Sequence, residues 1–403
     1  MSDDMNENPD HLTLHRVLGA HAFVAEVSGP CDLLVQMADA FEDLPAFAPG
    51  DFDQPLGVSV RVEKRIDGRP FFRIEIEGMD PWRVEEPRAA VDHIVTSLTR
   101  QALERGVGRL HLHAGLVSTD HGALLFTGPS GAGKSTLVAA ALRNGAASYV
   151  TDEMISIDLE NADVCGLVKP LTFKRATWGL HEDLLGPTPT EGERWSVRAS
   201  RLGSVSDPGP HQVRMIVFPQ FQDNAQLTLT HLHPTRALTR LVSETLDMER
   251  DGARAFRRMA DVVAHSACVA LEYHCASSAV AELVDQLDSR TDRPESSKPL
   301  ISPHVPTDIH PVRPADPTAL HRRRAASTVS LVLNGRAALY SETTGVAADL
   351  DEVATLWWLE LDGLRSVSEI AQQFADLSEG DAHEIETAGS QMISELADVG
   401  FVQ

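Results

Sequence analysis

The sequence predicts an α/β nucleotide-binding fold with a β-rich amino-terminal portion, followed by a smaller α+β unit. Three observations carry this. The apolar run Ala123-Leu124-Leu125-Phe126 leads into Gly128-Pro129-Ser130-Gly131-Ala132-Gly133-Lys134-Ser135-Thr136 and on into helix-favouring residues as far as Arg143, which reads as strand, glycine-rich turn and helix. Strand-like and helix-like segments then alternate to about residue 288. After a proline-rich stretch, Asn334-Gly335 separates two β-favouring runs ahead of three helical segments.

Composition sets the bounds. The 403 residues allow two or three domains with proper cores, and 42% hydrophobic residues is a globular composition. With 59 acidic against 35 basic residues the formal charge is -24, which repels polyphosphate and excludes nucleic acid as an expected partner. Cys31, Cys165, Cys268 and Cys275 show no C-x-x-C spacing, so reduced, buried thiols are expected rather than a disulfide framework or zinc knuckle. The start is polar and acidic and no apolar run reaches about 18 residues. No signal peptide or membrane partner is expected, and the location is expected to be cytoplasmic.

In chain order, residues 12–80 read as short strands, at 22–27, 58–64 with Val58, Val60 and Val62 alternating, and 71–77 with Phe72, Ile74 and Ile76 alternating. Residues 87–104 read as a helix with Val91, Ile94, Val95, Leu98 and Leu103 on one side. The strand 109–117 follows, with His111 and His113 on one face. Two histidines without a third ligand are weak support for a metal, as are His231 and His233.

The glycine-rich stretch matches G-x-x-x-x-G-K-[ST]. Its backbone N–H groups, at Gly128, Ser130, Gly131, Ala132, Gly133, Lys134, Ser135 and Thr136, suit phosphate oxygens, Lys134 suits the terminal phosphates and the Ser135 hydroxyl suits magnesium. Residues 148–158 are β-favouring and carry Asp152 and Glu153 in the middle, a strand expected beside the loop-bearing strand. One acid there can orient magnesium and another accept a hydroxyl proton. Lys174, Arg175, Arg198 and Arg201 are clustered cations suited to a transferring phosphoryl group, or to balancing surface acids. Strands at 213–218, 226–231 and 267–273 and helices at 236–247, 253–265 and 279–287 complete this part.

Residues 289–326 carry Pro294, Pro299, Pro303, Pro306, Pro311, Pro314 and Pro317 and read as an extended linker that ends in the solvated triplet Arg322-Arg323-Arg324. The division is therefore 1–288, linker 289–326, and 327–403. The last part has a hairpin turning at Asn334-Gly335 and helices at 349–361, 366–374 and 384–399, stopped by Gly400. A hairpin with three helices resembles a winged-helix scaffold. Its third helix carries Glu384, Glu386, Glu395 and Asp398 and no basic residue, which suits a peptide strand on a sheet edge better than DNA.

Residues 113–158 resemble the catalytic core of the HPr kinase/phosphorylase family. His113-Ala114-Gly115-Leu116-Val117 stands before the loop, and Val150-Thr151-Asp152-Glu153 follows it. The resemblance implies an α/β P-loop kinase domain using ATP or another nucleoside triphosphate with magnesium. Asp152 would be the base, His113 would tune it, Lys134 and Ser135 would hold phosphates and metal, Glu153 would be the second acid, and Lys174, within Pro170-Leu171-Thr172-Phe173-Lys174, a second cation. A homo-oligomer is compatible with it. The loop departs from the family where Thr136 follows Ser135, and the family's second glycine-rich signature is not found. Residues 327–403 are similar to PqqD-like domains, through Tyr340, Leu350, Ala354, Trp357-Trp358, Leu361-Asp362-Gly363, Val367, Ile370 and Leu396 with Gly400-Phe401. Such domains bind the leader of a ribosomally made precursor peptide as an added strand. Together the resemblances imply a peptide serine/threonine kinase recruited through the leader. The alternatives are activation of a carboxylate as an acyl phosphate, and a nucleotide-gated peptide chaperone.

Overall fold

A computed structural model describes residues 11–18, 21–29, 31–48, 50–51, 55–64, 70–105, 107–186, 194–207, 209–289, 300–301 and 321–403. Two compact units emerge: Met1–Asp158, Asp163–Leu229 and Ala270–Asp292 make the first, and Leu159–Ala162, Thr230–Val269 and Arg293–Gln403 the second.

The chain begins with β1 (His11–Leu18), β2 (His21–Ser28), α1 (Cys31–Phe41), β3 (Leu56–Lys64), β4 (Pro70–Ile76), β5 (Trp82–Val84) and α2 (Pro87–Arg105). The five strands form one sheet in sequence order. As the alternation predicts, Val58 and Val60 of β3 and Phe72, Ile74 and Ile76 of β4 share a core with Val91, Ile94, Val95 and Leu98 of α2. Helix α1 corrects the reading of residues 12–80 as strands alone. β2 and β3 pair in parallel, which a tight turn cannot connect. The crossover is α1, whose Leu34, Met37 and Phe41 enter the same core.

Next come β6 (Arg109–Thr119), β7 (Gly122–Thr127), α3 (Lys134–Arg143), β8 (Ser148–Thr151), β9 (Met154–Asp158), β10 (Val164–Gly166), β11 (Leu171–Lys174), α4 (Arg175–Trp178), α5 (Glu182–Leu185), β12 (Arg194–Val197), β13 (Val213–Phe221), β14 (Thr228–His231), α6 (Pro234–Val242), α7 (Met248–Ala264), β15 (Ala267–Tyr273) and α8 (Ala276–Asp288). A second sheet runs β10-β9-β6-β7-β13-β15-β14, with β8 also on β6. Residues 148–158, expected as one strand beside β7, are instead β8 and β9, both antiparallel to β6. The flanks of β7 are taken by β6 and by β13, which runs parallel to it. Asp152 and Glu153 occupy the break between β8 and β9.

The second unit adds β16 (Leu300–Ile301), β17 (His321–Arg323), β18 (Thr328–Leu333), β19 (Arg336–Ser341), β20 (Ala347–Asp349), α9 (Glu352–Glu360), β21 (Asp362–Ser366), α10 (Val367–Ser378) and α11 (Ala382–Asp398). Its main sheet runs β16-β18-β19-β20. Asn334 (φ +48°) and Gly335 (φ +83°) make the turn, both in the left-handed region that primed hairpin turns require. Ser366 and Glu369 form a reciprocal capping box at α10. Ala337 and Leu339 pack with Trp357, Trp358, Ile370, Ile393 and Leu396 of the three helices. The alternate residues of β19 face α6 and α7, which belong to this unit. There Tyr340 stacks on Phe256 with centroids 5.4 Å apart, and the backbone N–H of Ala253 donates to Glu342 Oε1 at 3.2 Å. β19 is therefore buried on both faces. On α9, Val353 and Leu356 are 66% and 55% exposed while Trp357 and Trp358 are buried.

Of the expected linker, 290–299 and 302–320 lie outside the described residues. The basic triplet at its end is not simply solvated. β17 pairs with β21, Arg323 exchanges backbone hydrogen bonds with Gln403 at 3.0 and 2.9 Å, and the Arg324 guanidinium lies 5.7 Å from the Trp358 ring centroid. No described helix is long and apolar enough to cross a membrane. Cys165, Cys268 and Cys275 are free, and Cys275 is exposed, against the expectation of buried thiols.

Candidate functional site

The site is built where β7 ends. After Thr127 the chain turns through Gly128 (φ +144°), Gly131 (φ +92°) and Gly133 (φ +98°), conformations that a β-carbon disfavours. Gly133 is the N-cap of α3 and supplies no side-chain cap to the first turn at the helix's positive end. Space also demands glycine here. A Cβ on Gly133 would lie 1.9 Å from the Tyr273 hydroxyl, which donates to the Gly133 carbonyl at 3.4 Å. The buried Lys134 ammonium donates to the Gly128 carbonyl and, at 3.2 Å, to the Pro129 carbonyl. Lys174, at the end of β11, donates to Ser130 Oγ at 3.4 Å.

Two carboxylates stand on the other side of β6. Asp152 is 3% exposed. Its Oδ1 accepts from Lys169 Nζ at 2.8 Å and from the Tyr149 hydroxyl at 3.1 Å, and its Oδ2 from the Thr172 backbone N–H at 3.4 Å. The Glu153 side chain is 50% exposed, with Oε2 held by the same Lys169 at 2.9 Å. The Lys169 side chain is 0% exposed and also donates to the Pro170 carbonyl at 3.1 Å and to Thr172 Oγ1 at 3.3 Å. Burial pulls the lysine pKa down, but the Asp152 and Glu153 charges outweigh it and hold the group above the usual lysine range. The Lys169 charge, against the opposing effect of burial, keeps Glu153 below the ordinary carboxylate range. Burial first, then the Asp152 charge, pushes the Tyr149 phenol well up.

His113 joins the two halves. Its carbonyl accepts from Thr127 Oγ1 at 3.4 Å, where the loop begins, and in the β6–β9 ladder it faces Met154, next to Glu153. Burial and then the Lys134 charge lower its pKa, while Glu153 and Asp152 oppose them; the imidazole is neutral at pH 7. At Gly115 a Cβ would come within 2.8 Å of Val138 Cγ2 on α3 and 3.7 Å of the Asp152 Cα. The bare backbone of β6 thus lets helix and acid pair close in together.

The structure gathers Lys134, His113, Asp152 and Glu153 in this part of the fold, with the loop residues and with Lys174 on Ser130. The other expected cations do not join them. Arg198 pairs with Asp39 at 3.3 Å and with Glu42, and Arg201 with Asp39 at 2.8 Å. The Arg175 guanidinium sits 5.5 Å from the Trp195 ring centroid. These side chains lie beside the acids of the α1 region or an aromatic ring, which explains why sequence proximity misleads. Sequence reasoning misses Lys169; its signal is a lysine directly after the apolar run Leu167-Val168, a setting that demands acidic partners. Among the described residues no group of three or more His, Cys, Asp or Glu is placed to hold a metal ion. In the second unit His233 caps α6, its Nδ1 accepting from the Thr235 backbone N–H at 3.4 Å.

Residues 336–402 match the family model described as Coenzyme PQQ synthesis protein D (PqqD). The carboxy-terminal region is thus PqqD-like, within a mixed α/β chain. Among solved structures, one described as TbiB1 in complex with the TbiA(beta) leader peptide is similar at 20% identity, covering 20% of this chain and 94% of that chain with a TM-score of 0.19. Among curated proteins, none matches the chain.

Proposed function

We propose that the protein is a kinase that transfers the terminal phosphoryl group of ATP, with magnesium, to a serine or threonine hydroxyl of a ribosomally made precursor peptide. The observation that carries this reading is the convergence of the Lys134 loop, His113 and the Asp152–Glu153 pair around β6. Lys134 and the loop N–H groups suit the β- and γ-phosphates. Ser135, in the first turn of α3, and the half-exposed Glu153 are the residues that would hold magnesium, a hydroxyl and a carboxylate beside phosphate oxygens being the donor set this ion takes. When bound, magnesium neutralises phosphate charge. In the transfer the acceptor oxygen bonds to the γ-phosphorus, the bond from that phosphorus to the β–γ bridging oxygen breaks, and the hydroxyl proton passes to the acid pair as ADP leaves. Lys174, tethered to Ser130 on the loop, adds positive charge there.

The PqqD-like region supports capture of the leader. The outer edge of β18 already pairs with β16 through Leu331 and Val332, so the proposal places the leader strand along β20, at the other end of the sheet. Leader capture holds the acceptor near the site at an effective concentration of about millimolar.

The test is to incubate the full chain with ATP, magnesium and the precursor peptide encoded nearest its gene, and to record the peptide mass. A stable gain of one phosphate group is expected. An unchanged mass with the leader bound rejects the kinase in favour of a chaperone, and a transient, hydroxylamine-sensitive adduct favours acyl phosphate chemistry.

A further inference from the structure

The two carboxylates behind the loop are not equivalent. Asp152 is closed off, with both oxygens occupied by Lys169, Tyr149 and Thr172. Among the described residues Glu153 is anchored through Oε2, to Lys169, and half of its side chain meets solvent. Its backbone carbonyl accepts from the Ala114 N–H at 3.1 Å, which roots the side chain beside His113.

We propose that Glu153 is the carboxylate that meets the reacting groups, and that Lys169, with Asp152 as its buried counter-ion, is the positioning residue that aims it. This rests on the kinase reading and says which of its two acids works. A fully buried ammonium is costly unless a charge cancels it in place, and Asp152 at 2.8 Å does so. One counter-ion would meet that need. The same nitrogen nevertheless reaches a second carboxylate at 2.9 Å, and this second contact restricts the Glu153 side chain. A well-packed apolar residue can replace a buried ion pair without loss of stability, so stability alone does not explain a lysine at residue 169. Fixing the direction of Glu153 does, because phosphoryl transfer depends on groups held in place before the reaction begins.

The experiment compares the full wild-type chain with Glu153→Gln, Asp152→Asn and Lys169→Met. It measures thermal unfolding, binding of a fluorescent ATP analogue with magnesium, and steady-state ATP turnover without peptide. Glu153→Gln is expected to melt within about 2 °C of wild type and to lose on the order of 100-fold in kcat. Lys169→Met is expected to lose about tenfold or more in kcat with KM for ATP changed less than about threefold, a split that a merely structural lysine would not produce. Lys169→Met is expected to lower the melting temperature most, because it strands the buried Asp152 carboxylate, and Asp152→Asn less, because Glu153 still pairs with Lys169. Wild-type turnover in Glu153→Gln beside a folded but inactive Asp152→Asn overturns the assignment, as does wild-type kcat in Lys169→Met. The Glu153→Gln arm, on a half-exposed side chain, decides the matter even where Lys169→Met does not fold. A wild-type chain that binds no analogue overturns the kinase reading itself and this inference with it.

Discussion

Gly133→Ala tests the loop geometry most directly. Two costs add. The native φ of +98° is left-handed, which for an L-residue costs about 1–2 kcal/mol. The new Cβ would also lie 1.9 Å from Tyr273 Oη, well inside contact distance, and forcing such room costs about 1–3 kcal/mol. The expected loss is about 2–5 kcal/mol in urea unfolding of the full chain. Tyr273→Phe removes the offending atom. The next nearest atom, Tyr273 Cζ, stands 3.1 Å from the position the new methyl group would take, so the double variant should regain most of the steric part and keep the backbone part. The lone Tyr273→Phe change should cost little, since its hydrogen bond to Gly133 is a long 3.4 Å. Urea midpoints of the four proteins form a double-mutant cycle with an expected coupling of about 1–3 kcal/mol. Additivity within about 0.5 kcal/mol would refute the packing argument.

Two other expectations concern stability. His181 is buried, and burial, followed by the Arg143 charge, lowers its pKa to about 4 from 6.5. Between those values the unfolded chain takes a proton that the folded chain refuses, so this contribution is complete above about pH 6.5 and is lost as the pH falls, by on the order of 1–3 kcal/mol near pH 4. Melting curves of wild type and His181→Gln should diverge at neutral pH and converge on acidification; parallel pH profiles refute the assignment. In α11, a Cβ on Gly389 would lie 2.2 Å from Trp357 Cζ2. Gly389→Ala should therefore destabilise, because overpacking at about 1–3 kcal/mol exceeds the gain of about 1 kcal/mol in helix propensity. A rise in the urea midpoint would show that Trp357 moves aside freely.

What the sequence makes legible is local. Asn334-Gly335, the Ser366–Glu369 cap and residues 128–136 each encode their geometry within a few residues, and the structure follows them. The grouping of His113 with Lys134, Asp152 and Glu153 is what the family resemblance of residues 113–158 implies; strand spacing alone puts residues 148–158 beside β7, whereas they pair with β6 instead. What escapes depends on distant partners. Nothing near Lys169 announces that its acids lie 16 and 17 residues earlier, at Glu153 and Asp152. Arg198 and Arg201 look close to Lys174 in sequence, yet Asp39 claims both. The spacing of Leu34, Met37 and Phe41 does mark α1, but the alternating strands around it mask that signal, and only the parallel β2–β3 pairing makes a crossover necessary.

The double-sided burial of β19 bears on how such a chain can be dissected or inherited. A hairpin with three helices, taken alone, would show Tyr340 to water, and α7 taken alone would show Phe256; each ring now covers the other. An aromatic side chain carries about 150–250 Å² of surface. Cutting the chain between residues 301 and 321 would therefore release two fragments that each expose an apolar scar, although every described strand and helix remains whole. The PqqD-like end is less a bead on a string than a tenon cut to fit α6 and α7. Exchanging it for a relative would require those two helices to travel with it.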